Sequence, residues 1–301
     1  MTIEVWGMMG TGLAVLVAGL ALVRGRFAAA SGAGKVLVLG PVFYAVALAE
    51  FAAEHFTAAH DLMGIVPKWL PGPLFWTYFV GAAWLAAAIS FIVWRQVRWG
   101  AAGTGLLMWI FVATLDLPNL PKGPHDRFFW ILTARELAFG SGAMVLAGSL
   151  WGRGAGAVRI CRGIVAGTMI FYGIEHFIYP RNVPGVPLEN MTPSWMPAPT
   201  LLAYVVGIAL LAGGVGLFVP RMVGMAAAGT GTVLLLLTAF FYVPIFVTEM
   251  HGPLAVEGLN YVGDTLLWAA TVLLAGFGAE THGPAAIRES RRSRRRLLPS
   301  Y

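Results

Sequence analysis

The chain places the same acid-base pair twice at the end of an apolar stretch, as Glu54-His55-Phe56 and again as Glu175-His176-Phe177. Arg135, Glu136 and Asp264 lie within other apolar stretches, and Glu50 sits one helical turn before Glu54 on the same face. At a rise of about 1.5 Å per residue, Arg135 and Glu136 lie ~12 Å below the start of their helix. Asp264 lies at a similar depth, and both Glu-His pairs fall near the same end of the structure. The set holds five carboxylates, one arginine and two histidines. One arginine cannot neutralise five acids, so some carboxyl groups must be protonated, face water or hold a cation.

Imidazole and carboxylate are the groups that bond and protonate a quinone oxygen. The same set could line a proton or ion path. His55 and His176, on equivalent helices, could hold a haem from two sides. A plainer reading is structural: each Glu-His pair hydrogen-bonds its returning loop or a partner helix. Neighbouring helix residues point ~100° apart, so Glu54 and His55 meet different groups on other helices. Arg135 is expected to pair with Glu54 or Glu50 of its own unit rather than with Glu136. Glu175 and Asp264, with no arginine in theirs, should rely on hydrogen bonds, His176 or protonation.

The elements that position these groups are membrane helices. Hydrophobic residues make up 58% of the 301 and charged residues 11%, where a soluble domain carries about 25% charged. Nine apolar stretches approach the length needed to cross ~30 Å of hydrocarbon. They lie near 5–23, 36–57, 74–94, 99–116, 128–150, 158–179, 198–219, 222–246 and 258–278, with 99–116 the shortest. Arg24, Arg26, Lys35, Arg95, Arg98, Arg153, Arg159, Arg162, Arg221 and the tail arginines fall on one side. That bias sets the amino terminus outside, the carboxyl terminus in the cytoplasm, and the first helix as an uncleaved anchor. The basic tail, 280–301, suits anionic lipid and lacks the aromatic interleaving of a nucleic-acid segment. Cys161 has no second cysteine for a disulfide or redox pair.

Three motifs recur in order. The Glu-His-Phe motif returns after 121 residues. Pro67-x-Trp69-x-Pro71-x-Pro73 returns 126 residues later from Pro193, and Ala101-Ala-Gly-Thr-Gly105 returns 126 later from Ala227. A five-residue insertion in the second copy's first loop accounts for the change of offset. The chain thus reads as an all-α polytopic membrane protein. An N-terminal helix and loop (1–34) precede two parallel four-helix repeats (35–151 and 157–279), followed by the tail (280–301). Trp69 and Trp195 stand in the two proline-rich loops, read either as rigid interfacial lids or as gates over a pocket. The Gly-Thr-Gly segments read as close helix packing, not as a phosphate cradle.

The repeating unit resembles the DoxX-like family of four-helix bacterial membrane proteins. The likeness rests on Glu175-His176-Phe177, the run from Val183-Pro-Gly-Val-Pro-Leu188 to Pro193-x-Trp195-x-Pro197, Tyr204-x-x-Gly207, and Arg135-Glu136 on the first copy's fourth helix. It spans about 240 residues as two fused copies. The family takes its name from a subunit of a thiosulfate:quinone oxidoreductase. The resemblance implies the inner membrane, lipid neighbours and redox-complex subunits as partners, and a quinone or other lipophilic ligand among the acids. This chain has Asp264 where the first copy has Glu136, and no second Arg135. A small-solute or proton-coupled transporter and a ligand-free scaffold remain as alternatives. No Gly-x-Ser-x-Gly or Rossmann fingerprint occurs, so neither a nicotinamide nor a flavin cofactor is expected. His60, His125 and His251 match no metal spacing.

Overall fold

The computed structural model describes residues 2–123, 125–152 and 154–279; the basic tail 280–301, read above as a lipid anchor, lies outside them. Every apolar stretch is helical. The helices are α1 (Ile3–Ala29), α2 (Gly34–Leu37), α3 (Gly40–Thr57), α4 (Ala59–Leu62), α5 (Pro73–Val93) and α6 (Val97–Phe111). Then come α7 (Arg127–Trp151), α8 (Ala155–Ile178), α9 (Pro199–Phe218), α10 (Val223–Leu237), α11 (Val243–Glu249) and α12 (Ala255–Ala275). Their starts follow from local chemistry. The Thr2 and Asp126 side chains accept the orphan N–H groups of Val5 and Phe128 at the heads of α1 and α7. Pro73 and Pro199 open α5 and α9, where the missing N–H costs nothing.

Eight helices, or runs of joined helices, are long and apolar enough to cross a membrane, which makes this an all-α protein of the multi-pass membrane type. The ninth expected span does not reach that apolarity. α12 has 21 residues but carries Glu257, Asn260 and Asp264. It needs less lipid-facing surface, because every residue from Leu267 to Ala275 is buried among other helices. α1 shows the opposite pattern. It buries Val5, Met8, Gly12, Val15, Gly19 and Val23 along one stripe and exposes Leu13, Val17, Leu20 and Leu22.

The packing order is a ring. α3 packs on α5, α5 on α6, α6 on α7, α7 on α8, α8 on α9, α9 on α10, α10 on α12, and α12 back on α3, while α7 and α12 also meet across the middle. α1 lies outside the ring against α3 and α5. The first helix of each expected unit therefore packs on the last helix of the other, so residues 35–151 and 157–279 interlock.

Positions at the repeat offsets share their local structure. α6 and α10 each run 15 residues and each ends in a π-helical turn, Val112–Asp116 and Thr238–Tyr242. The cause lies in the next turn. Pro118 and Pro244 remove a donor and crowd the carbonyl four residues back, and a widened turn absorbs both effects. A Cβ on Gly81 would come within 2.8 Å of the His55 Cβ, and one on Gly207 within 3.0 Å of the His176 Cβ, so α5 and α9 approach their partners at matching points. In the Gly-Thr-Gly segments Thr104 and Thr230 are buried. A Cβ on Gly105 would lie 2.8 Å from the Gly140 carbonyl oxygen, which is close helix packing.

Gly72 and Ala198 precede the two prolines with left-handed backbone, at φ 69° and 47°. That region costs an L-residue about 1–2 kcal/mol and glycine little. Ala198→Gly should therefore raise stability by about 1 kcal/mol after the entropy glycine adds to the unfolded chain. The check is the thermal midpoint in detergent; an unchanged or lower midpoint would mean the alanine is not strained.

Candidate functional site

A cavity of about 640 Å³ opens among α3, α5, α6, α7 and α12. Its walls are aromatic and aliphatic: Phe51, Trp76, Val80, Trp84, Met108 and Phe111 are among them. The loop from Leu62 to Leu70, including Trp69, covers one side. Phe79 of α5 and Ile110 of α6 line the cavity and are also exposed on the apolar surface of the bundle. The polar side is formed by Glu54 and His55 from α3, Arg135 and Glu136 from α7, and Asn260 and Asp264 from α12.

The charged and amide groups are bonded in two sets. The Arg135 guanidinium pairs with Asp264 and, at 3.3 Å, with Glu136. The Asn260 amide donates to Glu54 Oε1 at 2.9 Å. The pairing corrects the expectation from sequence. Arg135 binds neither Glu54 nor Glu50 of its own unit; it binds the adjacent Glu136 and the acid of the other unit. The reason is the packing order: α7 meets α12 at the centre, so the short side chain of Asp264 comes within reach of the long one of Arg135. Asp264 consequently has an arginine after all.

His55 is held by its own helix. Its Nδ1 lies 2.8 Å from the Phe51 carbonyl oxygen, which can only accept, so Nδ1 carries a proton and, in the neutral ring, Nε2 holds the lone pair. The Trp84 ring meets the imidazole edge-on, with centroids 4.9 Å apart. Four buried polar atoms around this region have no partner among the described residues: Trp84 Nε1, Arg135 Nε, Asn260 Oδ1 and Asp116 Oδ2. Buried polar atoms are nearly always satisfied in folded proteins, so these four stand out beside the cavity, although none of them opens into it.

The corresponding region of the second half is filled by its own loop. Asn182 and Met191 pair across the base of the loop. Between them Val183, Val186 and Leu188 are buried. His176 places Nδ1 2.6 Å from the Tyr172 carbonyl, in the same tautomer as His55, and its Nε2 accepts the Gly185 N–H at 2.8 Å. The Tyr242 hydroxyl donates to the Pro184 carbonyl at 2.6 Å. A Cβ on Gly185 would lie 2.8 Å from Leu237 and 3.8 Å from Leu234, the counterparts of cavity residues Phe111 and Met108. Glu175 is not left to hydrogen bonds or protonation. Arg127, at the head of α7, binds its carboxylate and also the Pro187 carbonyl, and stacks 4.3 Å over Tyr179. His176 spends its outer nitrogen on the loop, which leaves no lone pair there for a haem iron.

The remaining sequence candidates fall outside the cavity. Glu50 is buried where α1 and α12 approach α3; its Oε2 lacks a partner, and Gly12 and Gly263 leave room for it. Trp195 is half exposed on its loop and lines no part of the cavity. Among the described residues no group of three or more His, Cys, Asp or Glu side chains is placed to hold a metal ion. Sequence reasoning missed Arg127, Asn260, Trp84 and Asp116. Asn260 carried a signal, since it lies four residues before Asp264 on the same helix face. Arg127 carries no such signal, since it stands at the head of α7 with no acid one turn away.

Fold and site together define a multi-pass helical membrane protein with a largely apolar, acid-lined cavity. A family model described as "Domain of unknown function (DUF8561)" matches residues 44–120. That stretch runs from α3 through the covering loop to the first π-helical turn and contains Glu54, His55, Trp69 and Trp84. No curated protein and no solved structure matches the chain.

Proposed function

We propose that the chain is a DoxX-like protein of the bacterial inner membrane, a membrane subunit or accessory of a quinone-linked redox process, whose cavity binds a lipophilic ligand. In this reading α12 is a ninth span, the carboxyl terminus is cytoplasmic, and 35–151 and 157–279 are parallel repeats. The matching π-helical turns and matching Gly81 and Gly207 approaches support the repeats. The cavity lies at the outer end of the bundle, under the Trp69 loop.

The observation that carries the function is the composition of the cavity. Mostly apolar walls with a few convergent polar groups are what a site for a lipophilic molecule with a polar head requires. Phe79 and Ile110, which line the cavity and are exposed on the bundle surface, put the route from the lipid on that side. Glu175 and His176 take the structural role instead, because both hold the 183–188 loop.

Native mass spectrometry of the purified protein, with organic extraction and an absorbance spectrum, tests the reading. A quinone or hydroquinone that survives delipidation is the expected result. A protein that carries only bulk phospholipid, and whose tryptophan fluorescence responds to neither a short-chain quinone nor its hydroquinone, would falsify it.

A further inference from the structure

The two halves solve the same problem differently, and the solved half indicates what the other is built for. In the second half the occupant is the chain itself. Gly185 brings an N–H to His176 Nε2, with the flanking Val183, Val186 and Leu188 buried around it. His55 has the same tautomer, fixed by the same bond to its own helix, so its Nε2 is likewise an acceptor turned away from α3. No described residue donates to it. The first loop is five residues shorter, and its Gly64, 121 residues before Gly185, makes no such bond to His55.

One neighbour differs. Where the second half has Leu210, the first has Trp84, whose ring lies against His55 and whose Nε1–H is buried without a partner. That Nε1 is shut off from the cavity, so a ligand meets the His55 acceptor alone. A hydroxyl satisfies it: its O–H donates to His55 Nε2. A quinone carbonyl sets its lone pairs against that of His55. An ether cannot donate either. Glu54 and Asp264 line the cavity beyond His55.

We infer that the cavity's ligand presents a hydroxyl to His55, so the site takes a hydroquinone or another lipophilic phenol in preference to the oxidised quinone. The inference rests on the lipophilic-ligand reading above and names the chemical form of that ligand. It predicts a hydroquinone binder that holds the reduced form, with His55 as the binding residue.

The test uses the full chain in detergent, anaerobically, with three probes of matched tail: a decyl hydroquinone, its quinone and its dimethyl ether. Trp69, Trp76 and Trp84 line the cavity, so quenching of tryptophan fluorescence reads occupancy. The hydroquinone should bind at least tenfold more tightly than either of the others. His55→Leu should bring hydroquinone affinity close to that of the dimethyl ether while leaving binding of the ether intact. Equal or tighter binding of the quinone overturns the inference and leaves the lipophilic cavity standing. Failure of all three probes to bind overturns both. The wild-type comparison decides the matter if His55→Leu does not fold.

Discussion

Arg135→Ala should lower the stability of the protein in detergent by about 3–5 kcal/mol, the usual cost of removing one partner from a buried ion pair. The arginine is buried at the centre of the bundle, where it binds Asp264 of α12 and Glu136 of its own helix. Its removal leaves two acids facing each other without a cation. Asp264→Asn should cost less, because Arg135 keeps Glu136 and the amide can still accept a hydrogen bond. The double change, Arg135→Ala with Asp264→Asn, should be more stable than the sum of the two losses. Arg135→Lys should fall between wild type and alanine, since an ammonium cannot span two carboxylates as the planar guanidinium does. Thermal unfolding of the four variants measures the cycle. If the double variant loses as much as the two singles combined, the pair is not coupled.

The helices were legible because each apolar stretch is long and bounded by Gly, Pro or charge. The convergence of Glu54, His55, Arg135, Glu136 and Asp264 on one cavity could be approached from depth alone, since a helix converts residue number into height. Depth does not give azimuth. Which residues face one another depends on how the helices are rotated and ordered, and that order is set by contacts between the halves. Each repeat, read as its own bundle, placed Arg135 beside Glu54. The actual ring puts α3 against α12 and α8 against α7, which sends Arg135 to Asp264 and Arg127 to Glu175. The loop after α8 was visible as five extra residues between the recurring motifs. Its Pro-Gly-Val-Pro run suggested a rigid lid, and its entry into the bundle depends on bonds to distant helices, from Gly185 to His176, Tyr242 to Pro184 and Arg127 to Pro187. The tautomer that makes His55 an acceptor comes from a backbone carbonyl one turn away, which any helical histidine could use. The sequence therefore contains the group but not its polarity.

Arg127→Met should release that inserted loop. The arginine serves two acceptors at once, the Glu175 carboxylate and the Pro187 carbonyl, and its face stacks on Tyr179. Both ionic side chains are more than four-fifths buried, with 14% of Arg127 and 11% of Glu175 exposed. The loss should therefore approach that of a buried pair, about 3 kcal/mol. Methionine keeps much of the apolar stem, so the change reports on the charge and its hydrogen bonds more than on packing. Glu175→Gln should cost less, because Arg127 retains the Pro187 carbonyl and an amide oxygen. Arg127→Met with Glu175→Gln should recover part of the deficit by removing the stranded carboxylate. The loop offers a second readout. Arg181 is exposed at its base, while Val183, Val186 and Leu188 are buried just beyond it. Trypsin should therefore cut after Arg181 faster in Arg127→Met than in wild type under native conditions, well below the unfolding midpoint. Cutting that rises only in step with global unfolding would mean that Arg127 stabilises the bundle as a whole and does not latch the loop. Unchanged cutting together with unchanged stability would remove the Arg127–Glu175 pair from the account of how the second half keeps its loop inside.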